Sequence, residues 1–399
     1  MTTAIPSTGA ERGLRHPDWP VLAWWAVLLG AAIGAWWAVG TPEAQAPGGR
    51  RAGPGWPIGL TPVVVAGVVL VATYRRVHER WGWTLLLVAA YVASAGWTLA
   101  LAATDGTLWA AVVADAVIGP PLPGRLLDSL AGSGVDGVLA ATLVCLVGAL
   151  ASPLVAITVR SLCDELSARR LLPVLVLASY ALLGGNVEAI ALAFGAATLA
   201  VAALASERGR PAPTRLALAV VCGLLLGTAA LFGYAAILLA AGAVCVFFVR
   251  RRPLLNIATA AGFFAPLLIA RSAGLNWTED LARDLQNGTG EHHYAAGLIS
   301  AWLVLLILGG PALVASLRSM RTTPAWPLLV AGGGGLAACV VAGLVSDRLA
   351  PGAWLPALPW LLVAVIAPVR QGGPSVPTPL FVVGVGAVSA CAFALLIAQ

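Results

Sequence analysis

Long apolar runs, punctuated by short clusters of arginine, proline or glycine, follow one another along almost the whole chain. They fall at 19–40, 58–74, 81–104, 138–159, 171–185, 187–205, 216–232, 234–250, 254–271, 295–317, 326–346, 353–369 and 379–397. Each lies near the roughly 20 residues that an α-helix needs to cross a bilayer core. Some neighbours, such as 171–185 and 187–205, are separated only by a turn. The pattern predicts an all-α fold, a polytopic transmembrane helical bundle of about 13 helices with short extracytoplasmic loop helices. A tail, 1–18, precedes one integral membrane domain, 19–399, whose larger outer loops are 105–137 and 272–294.

Composition sharpens this. Of the 399 residues 60% are apolar and 10% charged, against about 25% charged in soluble domains. A water-soluble enzyme of this size is excluded, and no room remains for a large soluble domain. The first apolar run is longer than a signal-peptide core and carries Trp36 and Trp37 at interfacial positions, so it reads as an uncleaved anchor.

All 23 basic residues are arginine. With the N-terminus placed in the cytoplasm and the runs alternating sides, 17 arginines fall inside and 6 outside. That split obeys the positive-inside rule. It predicts a multi-pass protein of the cell (plasma) membrane with a cytoplasmic N-terminus and an extracytoplasmic C-terminus. The net charge of +6 therefore reports orientation and membrane lipids as partners, not nucleic acid. Eleven of the 17 acidic residues fall outside, either as solvated loop charge or as a carboxylate-bearing working face.

The six cysteines stand alone, without a C-x-x-C pair, and read as small core hydrophobes. No phosphate loop, dinucleotide fingerprint, zinc-protease or nucleophile-elbow motif is present, which argues against an ATP-driven pump or a zinc protease. Gly30-x-x-x-Gly34, Gly223-x-x-x-Gly227 and the glycines at 332–335 predict close helix packing.

Chemistry concentrates in the outer segments. The stretch 105–137 carries Asp105, Asp115, Arg125, Asp128 and Asp136, and its Leu108–Ile118 portion is amphipathic enough to lie along the interface. In 272–294, Glu279 and Arg283 are spaced to pair on a short helix, while the adjacent His292 and His293 have poor metal-ligand spacing. Arg271 and Arg348 stand at outer helix ends against the orientation bias. Two readings are open for them: a phosphate contact through the planar guanidinium, or snorkelling to the interface. Glu188 begins an apolar helix, either complementing its dipole or lining an outward-facing cavity.

From about 105 to 370 the order of features resembles the polytopic glycosyltransferases of the C superfamily, in particular actinobacterial-type integral membrane members. The stretch GPPLPG (119–124) is followed by a helix ending in the basic turn SLCDELSARR. Next come a hairpin turning outside at SYALLGGNVEAIALAF, the pair GLLLGTAALFGYAAILL, and SDRLAPGAWLPALPWLL, similar to the family's E-R-I-W-L-P segment. Proline follows glycine where the family has histidine, and an insertion separates Arg348 from Trp354.

The resemblance implies transfer of a sugar from a polyprenyl-phosphate donor to a lipid or cell-envelope glycan acceptor on the outer face. Asp105 or Asp115, neither in a clear family motif, is the candidate catalytic base, and Glu188 with the outer-side Arg271 and Arg348 are the candidate substrate-binding residues. No cofactor and no metal site are expected. The alternatives are a transporter or lipid flippase, against which the absence of an internal repeat weighs, and a catalytically silent membrane subunit of the same fold.

Overall fold

A computed structural model describes residues 82–104, 137–177, 188–288, 325–334 and 356–363, with isolated positions at 27, 31, 122, 125, 306, 313, 314 and 337. The described residues are helices and their connections, with no strand among them. The helices are α1 (Trp83–Thr104), α2 (Gly137–Ala149), α3 (Ala151–Leu162), α4 (Glu165–Leu177), α5 (Glu188–Ala205) and α6 (Ala212–Phe232). After a 3-10 turn at Tyr234–Leu238 come α7 (Leu239–Val249), α8 (Leu255–Ser272), α9 (Trp277–Gly288), α10 (Trp326–Leu329) and α11 (Leu358–Leu362).

Four stretches are long and apolar enough to cross a membrane: Leu139–Leu162, Glu188–Ala205, Ala212–Phe232 and Leu255–Ser272. At 1.5 Å per residue each spans roughly 27–36 Å, which matches a hydrocarbon core of about 30 Å. The protein is a helical membrane protein. The first of these stretches is interrupted at Leu150 between α2 and α3. Pro153 explains the break, because it has no N–H to offer the Ala149 carbonyl.

Of the four described spanning stretches α5 is the most enclosed, 67% buried against 22% for α8. It packs against α2, α3, α6 and α7, and its composition explains how. Ala189, Ala191, Ala193, Ala196, Ala202 and Ala205 are all buried, and such small side chains let neighbours close in from several directions. On α2, a Cβ at Gly148 would stand 2.6 Å from the Ala189 Cβ.

Helices α6 and α8 run parallel in the tightest pair. A Cβ at Gly223 would lie 2.0 Å from the Thr259 carbonyl oxygen, and one at Gly227 2.4 Å from that of Phe263. The small-xxx-small spacing of Gly223 and Gly227 therefore does what the sequence predicts. Between apolar helices in lipid, hydrogen bonds add specificity. Ser94 donates to Ser152 at 2.9 Å, Thr259 to the Ala219 carbonyl at 3.1 Å, and the Cys222 thiol to the Thr198 carbonyl at 3.4 Å. Cys145 and Cys222 are fully buried, as small core hydrophobes.

Two boundaries differ from the hydropathy pattern. Helix α4 starts at Glu165, inside the arginine-rich segment, because Asp164 caps it: the Ser167 N–H donates to Asp164 Oδ1 at 2.7 Å and its hydroxyl to Oδ2 at 2.9 Å. The turn read from SLCDELSARR thus shrinks to two residues, and Arg169 and Arg170 lie on a helix. The apolar run from Trp326 passes from α-helix to a π-turn at Val330–Gly334. There a Cβ at Gly332 would press within 2.8 Å of the Ala357 carbonyl oxygen and 3.1 Å of the Trp360 Cβ. The glycines serve close packing, as expected, but around a widened turn.

Contacts at the helix ends sort into two groups. Ser161, Glu207 and Arg250 meet at one end, where α3, α5 and α7 finish. Arg125, Ala230, Gly274 and Trp277 meet at the other, where α6 and α8 finish. This is the alternation expected for successive membrane passes.

Candidate functional site

The end where α6 and α8 finish carries the loop helix. Helix α9 is amphipathic, with Trp277 and Leu281 on one side and Glu279, Asp280 and Arg283 on the other. Arg283 pairs with Asp280 at 2.9 Å and with Glu279 at 3.5 Å, so the predicted Glu279–Arg283 pair forms and Asp280 joins it. The pairs are largely exposed and add little stability. What holds α9 down is apolar and directional: the Trp277 indole N–H donates to the Ala230 carbonyl at 2.7 Å, its ring meets Tyr234 edge-on at 5.7 Å, and Leu275 is buried beside Leu231 and Ala270.

Arg125 closes the same corner. Its guanidinium donates to the Gly274 carbonyl at 3.2 Å and the Ala273 carbonyl at 3.5 Å. These acceptors follow the last turn of α8, where a cation complements the helix dipole. Gly274 has φ +81, a left-handed conformation that lets the chain reverse after Ser272.

Glu188 is the first residue of α5. Its side chain is half-buried, and Ala191, one turn further along, meets Gly233, whose added Cβ would stand 3.0 Å from the Ala191 Cβ. Phe194 stacks on Phe232 with centroids 6.0 Å apart. The start of α5 is thereby set beside the α6 corner that leads through Tyr234 to Trp277. A carboxylate at this depth complements the α5 dipole, and ionisable groups at such positions face protein or water, not lipid.

Arg271 is at the same end, exposed on the last turn of α8, with no ion pair among the described residues. Helix α6 packs against both α5 and α8 and stands between Glu188 and Arg271. Asp105, Asp115 and Arg348 lie outside the described residues. So do His292 and His293. Among the described residues no group of three or more His, Cys, Asp or Glu side chains is placed to hold a metal ion.

Sequence reasoning missed Arg125 as a carbonyl cap and Trp277 as the anchor of α9. The only sequence signal for the anchor is the Trp277–Leu281 spacing on a polar helix. Nothing in the 105–137 stretch pointed Arg125 at residues 273 and 274.

The opposite end is ionic. Glu165 bridges Arg160 at 2.8 Å and Arg169 at 2.6 Å, and the Arg160 guanidinium lies 4.7 Å from the Trp83 ring centroid. The hydrogen bond from Arg169 holds the Glu165 carboxyl below its ordinary value, with the two arginine charges adding to it against the opposing effect of burial. Burial pushes the Cys163 thiol up to about 12; the neighbouring Asp164 charge adds to this and Arg250 opposes it.

Comparison with protein-family models, with curated proteins and with solved structures finds no match to this chain. The class established here is that of a helical multi-pass membrane protein.

Proposed function

We propose that the protein is an integral membrane glycosyltransferase-like enzyme of the plasma membrane, its N-terminus cytoplasmic and C-terminus extracytoplasmic. It transfers a sugar from a polyprenyl-phosphate donor to a lipid or cell-envelope glycan acceptor. The observation that carries this reading is the loop-helix end: amphipathic α9 is pinned there by Trp277, and Glu188 opens α5, the most enclosed of the described spanning stretches, at that same end. A helix lying on the bundle end gives a sheltered interface between lipid and water, where a donor with an apolar tail and a polar head would react.

In this scheme Asp105 or Asp115 accepts the proton of the acceptor hydroxyl. The hydroxyl oxygen then attacks the anomeric carbon, and the bond from that carbon to the phosphate oxygen breaks. Arg348, with Arg271, offsets the charge developing on the departing polyprenyl phosphate, while Glu188 lines the cavity wall.

The test is sugar transfer by purified protein from a polyprenyl-phosphate sugar, together with lipid-linked sugar levels in a deletion strain. Asp105→Asn or Asp115→Asn abolishes transfer without weakening donor binding. Arg348→Ala weakens donor binding by roughly ten- to over a hundredfold, and Arg348→Lys recovers only part. Normal glycolipid and cell-wall glycan profiles after deletion, or equal donor affinity across all three Arg348 forms, would reject the reading.

One observation favours a transporter or flippase instead. The helix starting at Trp326 widens into the π-turn at Val330–Gly334, and a Cβ on Gly242 of α7 would lie 2.4 Å from the Ala331 Cβ in that turn. Such irregular turns are frequent at functional sites, and broken helices line the substrate sites of many transporters. Lipid movement across proteoliposomes without any chemical turnover would select that reading, or, with neither activity, the silent subunit.

A further inference from the structure

The arginines at the ionic end divide into two populations. Arg160 and Arg169 are paired with Glu165, and Arg210 with Glu207 at 2.8 Å. Arg208, Arg215, Arg251 and Arg252 have no carboxylate partner among the described residues, and Arg208 and Arg251 are exposed.

The segments that carry the unpaired four lie at the same end of the bundle. Ser161 receives both neighbourhoods, donating to Glu207 at 3.0 Å and accepting from Arg250 at 2.5 Å through its carbonyl, so the 207–210 turn and the 250–252 turn adjoin. Thr259 on α8 donates to Ala219 on α6. One turn back along this parallel pair, Arg215 comes level with the start of α8, the helix that Arg251 and Arg252 precede. Neither α6 nor α8 has an acidic residue in its first turn, so the two parallel dipoles add positive potential on the same side.

Arg251 is held at φ +58. It occupies the C′ position of a Schellman turn ending α7, with the Arg252 N–H donating to the Phe247 carbonyl at 2.7 Å and the Arg251 N–H to that of Phe248 at 3.0 Å. Glycine is the inexpensive residue there, and any residue with a Cβ carries strain. Beyond Arg251 and Arg252 the surface turns apolar: Leu254, just before α8, and Ile257, Phe264 and Leu268, on the side of α8 turned away from α6, are each more than half exposed.

We infer that this surface binds an anionic glycerophospholipid of the adjacent leaflet, its phosphate held by Arg251, Arg252, Arg208 and Arg215 and its acyl chains lying along the open face of α8. The charge supplies the headgroup complement. The apolar stripe continuing from it supplies the tail complement, which a free anion would not use. The inference is independent of the glycosyltransferase reading, because it concerns the opposite end of the bundle.

The experiment measures lipid retained by the purified full-length protein in detergent, by native mass spectrometry with phosphatidylglycerol or phosphatidylcholine as probe. Wild-type protein retains phosphatidylglycerol preferentially. Arg251→Gly lowers that retention about fivefold while thermal stability holds or rises, since glycine relieves the left-handed strain. Arg208→Gln, at an exposed position, gives a second loss of similar size, whereas Arg283→Gln at the other end changes nothing. Equal retention of both lipids, or wild-type retention in Arg251→Gly and Arg208→Gln, would overturn the inference. Displacement of phosphatidylglycerol by equimolar glycerol 3-phosphate would also overturn it, by showing that the anion alone is recognised.

Discussion

Trp277 and Ala230 are 47 residues apart in the chain, and the indole N–H of the first donates to the carbonyl of the second at 2.7 Å. That carbonyl belongs to the last turn of α6, where backbone acceptors have no partner within the helix. The bond ties the loop helix to the bundle and settles an acceptor in a water-poor setting. Trp277→Phe keeps the ring against Tyr234 and removes the donor, so stability should fall by about 1 kcal/mol, while Trp277→Ala should cost about 3 kcal/mol. Thermal unfolding in detergent gives both values. Hydrogen exchange over 277–288 should rise in each variant, and unchanged exchange would show that α9 is held by something else.

The α6–α8 contact gives a steric prediction. Gly223→Ala sets a methyl group against the Thr259 carbonyl and should destabilise by about 3 kcal/mol. Gly96→Ala on α1, where an added Cβ meets nothing within 4 Å, should be neutral or slightly stabilising. Equal melting temperatures for the two variants would mean that α6 and α8 are not packed backbone to backbone.

The Glu165 carboxyl titrates below its ordinary value of 4.5 because Arg169 hydrogen-bonds to it. A depressed folded-state pKa contributes stability above the unfolded value, and this contribution is lost as pH falls through the folded value. With the side chain 38% exposed, the contribution is about 1 kcal/mol or less. Melting temperature followed from pH 7 to 3 should fall more in wild type than in Glu165→Gln below about pH 4.5. Parallel curves would remove the ion pair from the stability account.

Cys163 should resist alkylation. With its pKa pushed up to about 12, roughly one thiol in ten thousand is ionised at pH 8, and the thiolate is the reactive form. Mass spectrometry after brief maleimide treatment should find Cys163 unmodified in folded protein and modified once the protein is unfolded. Rapid labelling of the folded protein would show that the α3–α4 turn opens.

Reporter fusions after Arg252 and after Gly274 should respond oppositely. These residues bracket α8, and their contacts place them at opposite ends of the bundle. An active cytoplasmic reporter at Arg252 would also confirm the arginine-based orientation. The same response at both sites would mean that α8 does not cross the membrane.

The medium, the helical class and the alternation of ends were legible from the sequence alone. Hydropathy is a sum over local residues, and twenty apolar side chains in a row specify a crossing without reference to anything else. The Glu279–Arg283 pair and the Gly223–Gly227 contact were legible for the same reason, since helix periodicity places those residues together. Only the tertiary structure decided that α5 is the most enclosed of the described spanning stretches, that Asp164 starts α4 inside an arginine-rich segment, and that Arg125 caps a carbonyl 149 residues away. It alone separated the arginines into those paired with Glu165 and Glu207 and those left open beside α6 and α8. In lipid every apolar helix has a similar outer surface, so hydropathy does not encode which helices meet. That choice rests on small side chains and hydrogen bonds brought together from distant parts of the chain.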